Sequence, residues 1–235
     1  MSDAQNDDGM LGKKLLEGLY LINYGCAVYV IDAPGSVVLV DAGDAQYWDW
    51  MQRRLEHWGV DPRRISHVLL THPHYDHSQV ARRWRERGAK VVAHSRARPY
   101  LLERAVENRN EPCEIDIEVS DDCELDLCGL PVRVLTTPGH CPASLSVLVP
   151  VAGESCLFSG DLIMPGGDLG WMGEFCHEDL VASLHTLLAL PVDYQYAGHG
   201  CGAFGVGREW LAAAVRKDES GQWPGAGNGR TAGQS

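Results

Sequence analysis

The stretch Thr71-His72-Pro73-His74-Tyr75-Asp76-His77-Ser78 follows directly on the apolar run Val68-Leu69-Leu70. Three imidazoles and one carboxylate fall within six residues there. A neutral imidazole donates a nitrogen lone pair and a carboxylate adds negative charge. That mixture suits zinc or iron better than magnesium or calcium, which prefer all-oxygen cages. With a strand ending near Thr71, side chains alternate with period two, so His72 and His74 share one orientation. Asp76 and His77 then fall in the turn into a helix, over about residues 78–87, and approach from another direction. One short loop can thus serve two adjacent ions.

Working outward, the sequence carries Val40-Asp41-Ala42-Gly43 upstream, and downstream Pro138-Gly139-His140, Phe158-Ser159-Gly160-Asp161 and Ala197-Gly198-His199-Gly200. Together with His-x-His-x-Asp-His after a hydrophobic strand, these resemble the motifs of the metallo-β-lactamase superfamily, whose members are mostly metal-dependent hydrolases. The resemblance covers about residues 19–200, in order and with no ligand missing. It implies an α/β fold: a four-layer αββα sandwich of two mixed β-sheets flanked by helices, with the site at the strand ends along one edge. It also implies a ligand set. His72, His74 and His140 would hold a first metal, Asp76, His77 and His199 a second, and Asp161 would link them.

The cofactors implied are two divalent ions, zinc first, with iron or manganese as alternatives. Asp41 is expected to orient the metal loop through hydrogen bonds, as such partners do. Asp76 is expected to serve also as a proton relay. Tyr75, Trp171 and Met172 are candidates for substrate contact, with packing over the following helix the equal alternative for the last two. Two features depart from the usual pattern: Ser78-Gln79, where small residues or glycine commonly follow the motif, and Cys141 after His140.

The implied chemistry is hydrolysis. A metal can lower the pKa of bound water from 15.7 to about 7, supplying hydroxide at neutral pH to attack a carbonyl. A thioester or lactone, free or on an acyl carrier, is favoured over a β-lactam, because the bridge is a carboxylate rather than a cysteine. The first alternative is a mononuclear iron persulfide dioxygenase using His72, His140 and Asp161. Against it, Gly170-Trp171-Met172 stands where that group carries Gly-Arg-Thr-Asp. The second is a non-catalytic metal-binding protein, which would need lost ligands. A glyoxalase II assignment is weakened by the short sequence after His199, which leaves little room for that group's helical domain.

Composition narrows the partners. A formal net charge of −12 disfavours nucleic acid, whose binding rests on neutralising phosphates. No apolar run is long enough to cross a bilayer, so no membrane is expected. Met1 to Met10 is polar and acidic, the wrong pattern for a secretory signal. The eight cysteines form no Cys-x-x-Cys pair, so reduced thiols and a cytoplasmic setting are expected.

Residues 1–17 read as a flexible lead-in, 18–216 as one catalytic domain and 217–235 as a disordered tail. Within the domain, strands are expected over 19–23, 27–31 and 37–40, over 90–93, in a hairpin over 123–135, over 144–149 and 156–158, and over 194–197. Helices are expected over 45–58, 96–106, 177–190 and 208–216. Residues 107–120 are read as irregular, and 163–176 as a loop.

Overall fold

The computed structural model describes residues 12–170, 174–200 and 205–221. Seven strands build the first sheet, in sequence order. β1 (Gly12–Leu16), β2 (Leu19–Tyr24), β3 (Cys26–Asp32) and β4 (Val37–Val40) form an antiparallel meander. β5 (Ile65–Leu69), β6 (Lys90–His94) and β7 (Ile117–Val119) join it in parallel. Between them run α1 (Trp48–His57), the single turn α2 (Tyr75–Ser78) and α3 (Ala81–Glu86).

The second sheet has six strands. β8 (Cys123–Asp126), β9 (Pro131–Thr136), β10 (Leu145–Val151) and β11 (Glu154–Phe158) pair as antiparallel neighbours. After the small hairpin β12 (Ile163–Met164) and β13 (Asp168–Leu169) comes α4 (His177–Leu188). β14 (Tyr194–Tyr196) then lies parallel to β11, β15 (Gly205–Val206) pairs beside it, and α5 (Gly207–Glu219) ends the described chain.

The strand sequences explain the layering. In β3, Cys26, Val28 and Val30 face one core, while Ala27, Tyr29 and Ile31 face another. β4 divides likewise, Val37 and Leu39 on one side and Val38 and Val40 on the other. A strand buried on both faces reads as a continuous apolar run, because period-two alternation then separates two cores rather than core from solvent. The first core packs Met51, Leu55 and Trp84 of α1 and α3 against the first sheet. The second lies between the sheets, where Tyr29, Phe158 and Tyr196 stack with centroids 4.9–5.4 Å apart. A third sets Leu180, Leu184 and Leu187 of α4 and Leu211 of α5 on the outer face of the second sheet. The result is the expected αββα sandwich.

Several elements differ from the sequence expectation. Residues 12–16, placed in the lead-in, form edge strand β1 against β2. The helix expected over 78–87 is two pieces, α2 and α3, interrupted at Gln79 and Val80. Residues 96–106 form a 3-10 turn and a π-helical turn over Pro99–Glu103 rather than a continuous helix, and β7 lies inside the stretch read as irregular. Residues 217–219, placed in the tail, instead complete α5, which continues to Glu219, and Lys217 pairs with Asp168.

Phe158 is fully buried where the two sheets meet, touching the rings of Tyr29 and Tyr196. Phe158→Ala is expected to lower the unfolding free energy by about 3–5 kcal/mol, through lost transfer energy plus the cavity left behind. Chemical denaturation measures this, and a loss below about 1 kcal/mol would show that this core is not the one described.

Candidate metal centre

The five motifs meet at one edge, where loops leave β4, β5, β11 and β14 and the turn after β9. Backbone bonds sew them together, two of the three that follow crossing the seam between the sheets. Leu145 N–H donates to the Thr71 carbonyl (2.7 Å), Gly198 N–H to Gly160 (2.8 Å) and Ala27 N–H to Gly198 (2.7 Å). The Tyr29 hydroxyl donates to the Ala197 carbonyl at 2.6 Å.

Asp41 sits at the exit of β4, 1% exposed and with φ of +66°. Its carboxylate accepts from the Thr71 N–H (2.7 Å), the Thr71 hydroxyl (2.9 and 3.0 Å) and His77 Nδ1 (2.8 Å). Thr71, spending its proton on Asp41, accepts from His72 Nδ1 at 3.1 Å. His199 Nδ1 donates to the Gly25 carbonyl at 2.8 Å. These bonds place a proton on Nδ1 of each ring and turn Nε2 of His72, His77 and His199 inward.

Two groups of donors result. The rings of His72, His74 and His140 stand nearly perpendicular in pairs, at 79–86° with centroids 4.7–4.8 Å apart. His74 Nδ1 and His140 Nε2 are 3.0 Å apart. In the second group, His77 Nε2 lies 3.1 Å from His199 Nε2, and Asp76 Oδ2 lies 3.2 Å from His199 Nε2. Asp161 faces both: Oδ2 is 3.7–3.8 Å from Nε2 of His140 and His72, while Oδ1 is 3.3 Å from Nε2 of His77. Within each of three triads, His72–His74–His140, His72–His77–Asp161 and Asp76–His77–His199, the donor atoms lie within 4.8 Å of one another.

These donors fit cations. Ligands bound tetrahedrally at about 2.0–2.1 Å are themselves about 3.3 Å apart, close to the spacings here. Buried His72 Nε2 and Asp161 Oδ1 make no hydrogen bond, which is costly unless something else satisfies them. Nε2 of His77 and Nε2 of His199 face each other at 3.1 Å, close enough for one cation to take both as donors.

The titration pattern agrees. Burial drives His72 well below the ordinary imidazole range, lowers His74 and brings His140 down to about 4. His77 and His199 go the other way. Burial opposes their charged forms, but Asp161 and its fellow carboxylates outweigh it, holding His77 well above normal and His199 at about 9. Asp161 is held well below the carboxylate range, because His77 and the surrounding imidazoles overcome the cost of burial.

All seven residues expected as ligands converge, and Asp41 bonds His77 directly and reaches His72 through Thr71. Tyr75 lies under the Arg109 guanidinium, 3.6 Å from its ring centroid, on the rim. Trp171, Met172 and Cys201 lie outside the described residues. Cys141 is buried and turned to Ser144, away from the donor groups. Two participants were missed. Thr71 stood in the quoted stretch with no role assigned, and Asn110 has no signal in the sequence.

The fold and the centre together define a two-sheet αββα protein with a histidine- and aspartate-lined cation site. Residues 22–199 match the metallo-beta-lactamase superfamily, and the chain belongs to that family. Similar curated proteins include two named hydroxyacylglutathione hydrolase. That of Ruegeria pomeroyi is 31% identical over 73% of this chain and 59% of its own length, and that of Chromohalobacter salexigens 32% over 72% and 58%. The chain therefore spans under three fifths of the length of these relatives. Among solved structures, BJP-1, a subclass B3 metallo-beta-lactamase of Bradyrhizobium japonicum, superposes with TM-score 0.73 at 21% identity, covering 94% of this chain and 97% of that one. A metallo-beta-lactamase family protein from Thermus thermophilus gives 0.72 at 23%, covering 89% and 81%. At such identities the likeness carries the fold.

Two outcomes are expected. A Cβ on Gly198 would sit 2.2 Å from Asp161 Oδ1 and 2.8 Å from His77 Cε1. Gly198→Ala should therefore lose most bound metal while keeping its far-ultraviolet dichroism; wild-type metal content would refute the packing described. Because the surrounding carboxylates raise His199 to about 9 and hold His77 above the ordinary imidazole range in the metal-free protein, metal uptake at pH 7 should release protons. Calorimetry in buffers of different ionisation enthalpy measures this, and a heat independent of buffer would contradict it.

Proposed function

We infer that the chain is a metal-dependent hydrolase of thioesters, with two divalent ions as its cofactors and zinc the first choice. One observation carries the reading: two donor triads face each other across the single carboxylate of Asp161. In this assignment His72, His74 and His140 hold one ion, Asp76, His77 and His199 the other, and Asp161 lies between. Bound there, the ions supply a Lewis acid for the carbonyl and hydroxide at neutral pH.

The chain's own residues then position and sort protons. Asp41 and the Gly25 carbonyl keep Nδ1 of His77 and His199 protonated, so Nε2 stays free to bind. Asp76, less buried than Asp161, is the carboxylate nearest solvent and the one to orient the attacking water and take up its proton. A thiol of ordinary pKa, about 8.5, leaves as thiolate at little cost. Thioester cleavage therefore asks less of a general acid than amide cleavage does. The names of the curated relatives point the same way, since an acyl group carried on the glutathione thiol is a thioester. Lactones share the electrophile and remain the runner-up substrate class. A cytoplasmic setting suits the seven free cysteines of the described residues. Among those residues no helix is long and apolar enough to cross a membrane.

Metal analysis of protein purified without added metal, followed by a panel of thioester, lactone and β-lactam substrates, tests the reading. Zinc or manganese near two per chain with thioester turnover is expected; one iron with oxygen uptake would favour the dioxygenase instead. His140→Ala and Asp161→Ala should each lower both metal content and turnover, by at least about 100-fold in kcat/KM, a loss of about 2.7 kcal/mol in transition-state stabilisation. Full activity in either variant would show the ligand assignment to be wrong.

A further inference from the structure

Ser78 and Gln79, the residues that depart from the family pattern, are the points at which the histidine loop is tied to the segment over residues 99–113. Ser78 is fully buried at the end of α2. Its hydroxyl lies 2.9 Å from the His74 carbonyl, 3.0 Å from the Pro73 carbonyl and 2.9 Å from Asn110 Oδ1. One proton serves one of these acceptors at a time. Asn110, 4% exposed, sends Nδ2 to the carbonyls of Pro73 (3.0 Å) and Tyr100 (3.2 Å).

Gln79 forms a second arm. Its Oε1 accepts from Ala45 N–H and its Nε2 donates to the Arg109 carbonyl, each at 2.8 Å, while its own carbonyl accepts from Glu111 N–H at 3.2 Å. Arg109 is held at φ of +63°, which a residue other than glycine adopts only where its surroundings fix it.

None of these bonds reaches a donor atom of the centre. They act on the peptide between two donors. Among the described residues the Pro73 carbonyl accepts only from Asn110 and Ser78. That carbonyl belongs to the peptide leading into His74, so rotating it swings the His74 side chain away from His72 and His140.

We propose that Asn110 is a positioning residue for the metal centre, fixing the Pro73–His74 peptide and so coupling cation binding to the order of residues 99–113. This rests on the metal reading above. Coupling free energies are reciprocal, so cation binding must in turn stabilise that segment.

Full-length metal-free protein is titrated with Co(II), whose visible spectrum reports donor geometry. Amide exchange over residues 105–113 is followed with and without the ion. Asn110→Ala should weaken Co(II) binding about tenfold, within the range for residues supporting ligands. It should also alter the visible bands and abolish the protection that Co(II) gives residues 105–113 in the wild type. Ser78→Ala, the milder change, should show the same effects in smaller measure and serves where Asn110→Ala does not fold. Val134→Ala, in the second sheet, is the control: it should lower the unfolding midpoint yet bind Co(II) as the wild type does.

Wild-type affinity and spectrum in both loop variants would overturn the proposal. So would an equal loss of affinity in Val134→Ala, which would mark a general stability effect. Wild-type protein that takes up no Co(II) would overturn both the proposal and the metal reading. Co(II) binding without thioester turnover would overturn only the hydrolase reading, with the affinities of the variants still deciding the role of Asn110.

Discussion

A buried carboxylate holds the centre together. Asp41 is removed from water, and removing an ionised group from water costs several kcal/mol unless it is hydrogen-bonded. Here it gathers its donors from Thr71 and His77 on the loop after β5. Its own N–H pairs with the Leu69 carbonyl, so the sheet register between β4 and β5 places the carboxylate. The positive φ costs of order 1–3 kcal/mol at such a residue, and the bonds it makes possible offset that. Without Asp41 the tautomer of His77 would be free to invert, and the Nε2 lone pair would no longer be committed to the interior. The strand pairing thus reaches the chemistry through one side chain.

What the fold assembles at this edge is electrostatically incomplete on its own. Asp76 and Asp161 converge with five imidazoles, three of which are oriented by hydrogen bonds that turn Nε2 inward. The carboxylates in turn raise the pKa of His77 and His199, so a proton on either ring is held more firmly than on an ordinary imidazole. Cations would balance the carboxylates better, since two divalent charges exceed two carboxylates and need no proton on a ligand. Conflict of this kind destabilises a structural core, and it is tolerated at a site that gains its partner by binding. The geometry depends on both sheets at once. His72, His74 and His77 hang from the first sheet and His140, Asp161 and His199 from the second, so each donor group draws on both sheets and packing of Tyr29 against Phe158 and Tyr196 sets the spacing within each.

The parts legible in the sequence were those with one dominant cause. β3 and β4 are apolar because both faces are covered, and the candidate donors are dense because a cation site needs them close. Elements decided by tertiary context were less legible. Ile117-Glu118-Val119 carries too little apolar sequence to announce a strand, and it becomes one by pairing with β6. Residues 96–106 have helical composition, but Pro99 and the bonds from Asn110 draw them into a π-turn. Helix α5 outruns its apolar face because Lys217 and Asp218 find Asp168 and His177 on neighbouring elements. Asn110 itself carries no spacing or motif. Its role exists only in three dimensions, where a polar residue at 4% exposure has to satisfy both ends of its amide.

The candidate donors stand in the loops and the short turns that follow β5, β9, β11 and β14, between a regular floor and an irregular rim. The rim is made of irregular chain: Arg109 covering Tyr75, and Tyr100 donating to Glu174, which joins residues 99–113 to the segment before α4. Glu174 also acts electrostatically on His74, so that bridge spans the side of the centre where Asn110 fixes the loop. A rigid floor and an adaptable rim separate two requirements that compete. Donor atoms must keep their spacing to within a few tenths of an ångström, whereas substrate contacts have to change for one acyl compound to be told from another. Tying the rim to the floor through the buried amide of Asn110 makes the order of the rim and the placing of His74 depend on each other, although the amide itself touches no donor atom.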